Sequence, residues 1–212
     1  MKILHIDCSP RPEAWSRKLS SLILQRVLDR HNDATVRRLD LGIDPVPHTE
    51  PAYATALSNR ANFMAAQGGT ALDRSDELIE QLESADLVVL GTPMNNFTIP
   101  SSLKAWLDQV IRMGRTIGST PAGKVGLLSD RPVLIAVSSG DIFEGENANQ
   151  PDFLRPYLTA AFSVMGLKSV QYFSLQATAR QDDSELLQGI QAMESAIEAA
   201  VEKIDVSVAK VG

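Results

Sequence analysis

Short, nearly unbroken apolar runs alternate along this chain with segments in which apolar residues recur every three or four positions. The runs are KILHID (Lys2 to Asp7), TVRRLDL (Thr35 to Leu41), ADLVVLG (85–91), PVLIAVSS (132–139) and SVQYFSLQ (169–176). Each has the length and β-branched content of a strand. The second carries the most charge and is expected near a sheet edge. Between them, helical spacing places Leu19, Leu22, Ile23, Val27 and Leu28 on one face of a helix entered at Ser16, a plausible N-cap. Further helices are predicted over 52–66, 73–84, from Pro100 to near Gly114, over 151–166 and over 183–203. The stretch TPAGKVGLLSDR (120–131) reads as a small excursion or hairpin.

Strands that alternate with helices form a parallel sheet covered on both faces. The predicted class is α/β, a flavodoxin-like, doubly wound, five-stranded parallel sheet with helices on both faces, in one domain spanning 1–212. In such sheets ligands bind beyond the carboxyl ends of the strands, where the strand order reverses. That rule nominates three loops: Ser9 to Arg17, Thr92 to Ser101 and Ser138 to Glu146.

Their compositions suit different parts of one ligand. The first, SPRPEAWSRKL, offers the hydroxyls of Ser9 and Ser16 and the free N–H groups of a helix start, a donor set that holds phosphate. Arg11, Arg17 and Lys18 are expected to add positive charge there. The second, PMNNFTIP, sets Met94, Asn95, Asn96 and Phe97 between two prolines. Backbone and side-chain amides suit the polar edge of a flat heteroaromatic ring, and Met94 and Phe97 suit its apolar parts. The third, SSGDIFEG, offers Ser138, Ser139 and a close backbone approach at Gly140. A phosphate cradle beside a ring-edge site describes a mononucleotide such as FMN.

The 212 residues are 44% hydrophobic and 22% charged, enough for a large core without disulfides. One cysteine, Cys8, is expected to be a small packed residue, and His5 a satisfied core histidine. The net charge of −6 argues against nucleic acid or an anionic membrane as main partner. The broken N-terminal run and the lack of a long apolar stretch lead to the expectation of a cytoplasmic protein.

The segments SPRPEAWSRKL, GTPMNNFTIPSSLKAWLDQVIRMGRTI, KVGLLSDRPVLIAVSSG and YLTAAFSVMGLKSVQYF together resemble the FMN-dependent NADH:quinone oxidoreductases, also called azoreductases. The resemblance implies a homodimer with FMN at the interface. It implies that NADH, or NADPH, reduces the flavin by hydride transfer to N5, and that a quinone or azo compound then takes the electrons at the same place. By position it assigns the phosphate to Ser9, Ala14, Trp15 and Ser16, and the ring to Met94, Asn95, Asn96 and Phe97. The second ring edge falls to Ser138, Ser139, Gly140 and Asp141. The cofactor carries the chemistry, so no catalytic side chain is expected. Phe97, Phe143 and Phe162 are candidates for the wall of the acceptor site, although the helical pattern around Phe162 favours the core.

Four positions depart from the family pattern. Ala14 stands where the family has Ser, Asn95 where Tyr is common, and Ser139 and Asp141 where Arg and Gly are common. The last two make that edge less positive, which leads to the expectation of a lower flavin potential or an altered substrate range. Two rival readings are a flavodoxin-type electron carrier that does not use NADH, and a binding or regulatory protein that kept the fold and lost the flavin.

Overall fold

A computed structural model describes residues 1–208. Five parallel strands, β1 (Lys2–Asp7), β2 (Thr35–Asp40), β3 (Leu87–Pro93), β6 (Val133–Ser138) and β7 (Val170–Leu175), lie in the order β2-β1-β3-β6-β7. Chain order runs outward from β1 to β2 and then crosses back to β3, so the reversal lies between β1 and β3. The expected fold class is the one observed. A separate antiparallel pair, β4 (Ile117–Thr120) and β5 (Gly123–Gly126), forms a hairpin that takes in the first half of the 120–131 stretch and begins before it.

Alternate strand residues feed two cores. Leu4, Ile6, Val88, Leu90, Ile135 and Val137 pack with α4 (Asp73–Glu83), α5 (Ser101–Val110) and α6 (Leu154–Met165) on one face. Ile3, Leu87, Val89, Leu134 and Ala136 pack with α1 (Trp15–Arg30) and α7 (Asp183–Val208) on the other. Burial on both faces is what makes β3 and β6 read as unbroken apolar runs. Phe162 is fully buried, as its helical pattern indicated.

Several boundaries differ from expectation. The helix predicted over 52–66 is two, α2 (Pro51–Leu57) and α3 (Arg60–Ala66). Asn59 breaks it: its side chain accepts from Asn62 N–H at 2.9 Å and caps a new start. The helix after Pro100 stops at Val110, short of Gly114, because Ile111 leaves helical geometry. The Arg112 N–H then turns to Thr116 Oγ1 at 2.9 Å. The first helix starts at Trp15 with Ala14 as its N-cap, so Ser16 is not the cap.

Candidate functional site

The three nominated loops emerge side by side at the carboxyl ends of β1, β3 and β6. Strand register pairs Asp7 with Gly91 and Pro93 with Ser138. Met94 N–H donates to Ser138 O at 2.8 Å, and Ser102 Oγ donates to Cys8 O at 3.2 Å, so each loop is tied to its neighbour.

The first loop leaves donors unspent. Ala14 has no side-chain oxygen with which to cap α1. Among the described residues, neither the Trp15 nor the Ser16 N–H donates to any acceptor. Ser16 Oγ is buried and, among the described residues, has no hydrogen-bond partner. An unpartnered buried hydroxyl is costly, and a helix start that keeps one beside free N–H groups offers a donor set that fits an anion. Ser9 is also buried, and its Oγ accepts only a long 3.3 Å bond from Arg11 N–H. The expected contribution of nearby cations needs correction. Arg17 turns inward to Asp40 and the Ser9 carbonyl, and Lys18 lies over the Trp15 ring at 3.9 Å, a cation–π contact.

The second loop is a tight reversal. Asn95 and Thr98 exchange backbone bonds at 2.9 and 3.0 Å, and the two residues between them, Asn96 and Phe97, have φ of 47° and 71°. Both central positions at positive φ match a type I′ turn. Asn tolerates that region, whereas Phe does not do so readily. The strained Phe97 is held by its carbonyl, which accepts from Phe153 N–H at 3.0 Å, and the residue is 45% exposed. Among the described residues the N–H groups of Asn96 and Phe97 have no acceptor. Strain, an exposed ring and two free donors at one turn fit the polar edge of a flat heterocycle. With the free donors of the first loop, these residues fit FMN.

The third loop is buried at Ser138 and Ser139 and opens at Asp141. Ser139 O accepts from Thr178 N–H at 2.9 Å and Thr178 Oγ1 at 3.1 Å. Asp141 forms an ion pair with Arg180, so the negative charge that this position adds is offset by a neighbour the sequence reading did not connect with it. Phe143, proposed as an acceptor wall, is buried beneath the Arg155 guanidinium, 4.8 Å from the ring, and Phe162 is core. Of the three aromatic candidates, Phe97 alone is open to a ligand.

Gln150 also lies at the candidate site. Its Nε2 donates to Ser139 Oγ at 2.6 Å and lies 3.6 Å from Met94 Sδ, joining the second and third loops. Nothing in ENANQPD marks it. The contact exists because Asn149 N–H and Gln150 N–H both reach back to Ile142 O and fold the loop over Ser139.

Beneath the first loop, His5 is buried against Ser20 Oγ at 3.2 Å and Arg38 Nη1 at 2.8 Å. Burial lowers its pKa; the Asp7 carboxylate opposes that shift, and Arg38 and Arg17 add to it. Cys8 is fully buried, and burial followed by the Asp7 charge pushes its thiol well above the ordinary range, so it is an inert packed residue.

Residues 1–200 match the family Flavodoxin_2, with a flavodoxin-like fold. The FMN-dependent NADH:quinone oxidoreductase 2 of Cupriavidus pinatubonensis is 44% identical over 183 residues, which cover 86% of this chain and 89% of that protein. The FMN-dependent NADH:quinone oxidoreductase 5 of Burkholderia lata is 41% identical over 184 residues, 85% and 87% of the two chains. An FMN-dependent NADH-azoreductase from Bacillus anthracis, solved in complex with FMN, superposes with a TM-score of 0.77 at 26% identity, over 96% of this chain and 99% of that one.

Proposed function

This chain belongs to the FMN-dependent NADH:quinone oxidoreductases of the flavodoxin-like fold, enzymes that take FMN as cofactor and NADH as donor, and we propose that it reduces quinones or azo compounds by a two-electron, ping-pong sequence. When bound, FMN would supply the two-electron redox chemistry between NADH and the second substrate.

The chain's own residues bind and orient. The Trp15 and Ser16 N–H groups and the hydroxyls of Ser9 and Ser16 hold the phosphate, and Ala14 is the backbone corner that leaves those donors free. Met94, Asn95, Asn96 and Phe97 frame one side of the ring. The Asn96 and Phe97 N–H groups are preorganised donors toward its polar edge, fixed by the turn before any ligand arrives. Ser138, Ser139, Gly140 and Asp141 form the second edge, with Gln150 locking Ser139 to Met94. Phe97 presents an apolar face to whichever flat substrate enters, and no side-chain acid or nucleophile is assigned. The resemblance further supports a homodimer, with NADH as donor and NADPH as a second candidate.

The observation that carries this reading is the unpartnered, buried Ser16 hydroxyl at an uncapped helix start. The test is the absorption spectrum of the purified protein before and after anaerobic NADH, then after a quinone. Flavin bands that bleach with NADH and return with the quinone are expected. Bands that resist NADH would favour a one-electron carrier. A protein that neither carries nor takes up FMN would leave the binding or regulatory reading.

A further inference from the structure

We propose that Arg17 is a positioning residue for the phosphate end of the flavin site, and that it sets how strongly the chain prefers FMN over riboflavin; this rests on the phosphate reading of the Ser9–Ser16 loop. Arg17 is not placed as a phosphate ligand. Its Nε and Nη2 donate to the Ser9 carbonyl at 2.9 and 2.6 Å. Its Nη1 and Nη2 donate to the two carboxylate oxygens of Asp40 at 2.8 and 2.5 Å. Asp7 lies 3.7 Å from Nη1. One guanidinium thus joins the end of β1, the end of β2 and the first turn of α1, with a side chain only 14% exposed.

The charges around it close on themselves. Arg17 faces both Asp7 and Asp40, one cation against two anions; Ser20 Oγ also donates to Asp7, and Arg38 joins the group through the His5 ring. Arg17 therefore has no excess charge to offer a ligand, and its effect is geometric. A phosphate site needs donors and no free acceptor. The Ser9 carbonyl is the acceptor at the point where the chain leaves β1, and Arg17 covers it with two N–H groups. The same clamp orders the following turn, because Asp40 Oδ1 also accepts from Gly42 N–H at 3.1 Å and Ile43 N–H at 3.0 Å.

The packing leaves little slack for this clamp to relax. A Cβ at Gly42 would lie 2.0 Å from Ser9 O. A Cβ at Gly91 would lie 2.6 Å from Ser20 Oγ, 2.8 Å from Asp7 Oδ1 and 2.9 Å from Ser16 O. Two neighbouring backbones thus approach to glycine distance on either side of the network, and the loop geometry depends on the groups that fill it. Arg suits this position because a planar fork serves a carboxylate and a carbonyl at once, which an ammonium cannot do with one geometry.

The experiment titrates the full-length apoprotein with FMN and with riboflavin, followed by quenching of flavin fluorescence. The unaltered chain is expected to bind FMN more tightly than riboflavin. Arg17→Met is expected to weaken FMN about tenfold or more while riboflavin binding stays nearly constant, since the loss of charge-assisted bonds acts at the phosphate end alone. Arg17→Lys is expected to fall between the two. An FMN-to-riboflavin ratio that does not change, or two affinities that fall in parallel, would mean that Arg17 is only a structural strut and would overturn the proposal. Equal affinities in the unaltered chain would overturn the phosphate reading itself, and the proposal with it. If Arg17→Met does not fold, Asp40→Asn, which keeps the side-chain shape and weakens the clamp, carries the same comparison.

Discussion

His5 shows how a single side chain can be both a core residue and a pH-sensitive one. Its Nδ1 lies 2.8 Å from Arg38 Nη1, an obligate donor, so the ring accepts there and must be the Nε2–H tautomer facing Ser20. Protonation would set a second donor against the Arg38 guanidinium in a site that excludes water. Burial, opposed by Asp7 and reinforced by Arg38 and Arg17, lowers its pKa below the ordinary 6.5, so the unfolded chain binds this proton more readily than the folded one. Stability from His5 is therefore complete above about pH 6.5 and is lost as the pH falls from there toward the folded pKa. The depressed Asp40 carboxyl, held down chiefly by Arg17, acts in a separate, more acidic window. The expected result is a melting temperature that drops between about pH 7 and pH 5. His5→Gln, which can accept from Arg38 and donate to Ser20 without titrating, should flatten that slope. An identical slope in the variant would assign the effect to other groups.

The β3 loop is the element in which backbone strain and function meet. Phe97 adopts a φ of 71°, which costs an L-residue about 1–2 kcal/mol, and its ring is too exposed to recover that through burial. Gly at this position removes the strain but makes the unfolded chain more flexible, a cost of about 0.5–1 kcal/mol. Phe97→Gly is therefore expected to leave thermal stability unchanged or slightly raised while NADH-dependent quinone reduction falls. A clear drop in melting temperature would show that the ring is structural. This element was also the most legible in the sequence: two prolines, two amides and an aromatic ring directly after a buried strand have no secondary-structure reason to stand together. The sheet was legible for a related reason, because strands buried on both faces read as unbroken apolar runs. What was not legible depends on contacts between residues far apart in the chain. Arg17 looks like a phosphate-side cation until β2 brings Asp40 beside it. Asp141 looks uncompensated until the segment after β7 supplies Arg180, and Gln150 carries no local signal at all. The break at Asn59 was readable as a cap, but the helical pattern on either side of it masked the signal.

At the scale of the whole molecule, the unusual surface feature is where the exposed aromatic area lies. Phe97 and Phe153, at 45% and 60% exposure, are linked by a backbone bond and sit together at the carboxyl end of the sheet, beside the proposed ring site. Large apolar side chains that share one rim mark an interaction surface more often than chance exposure does. The site beside them is lined by the three strand-end loops, and among the described residues Phe97 is the exposed aromatic that the β3 loop brings to it. A second copy of the chain meeting this rim would bury both rings and close the site, in keeping with the homodimer that the family resemblance implies. Light scattering on the purified protein should then report about twice the 23.0 kDa of one chain. Phe153→Glu places a charge in that rim without touching the two cores, so it should shift the protein toward the monomer and lower quinone reduction in parallel. A monomeric mass for the unaltered chain, or a dimer that persists in Phe153→Glu with full activity, would show that this rim is not where two copies meet.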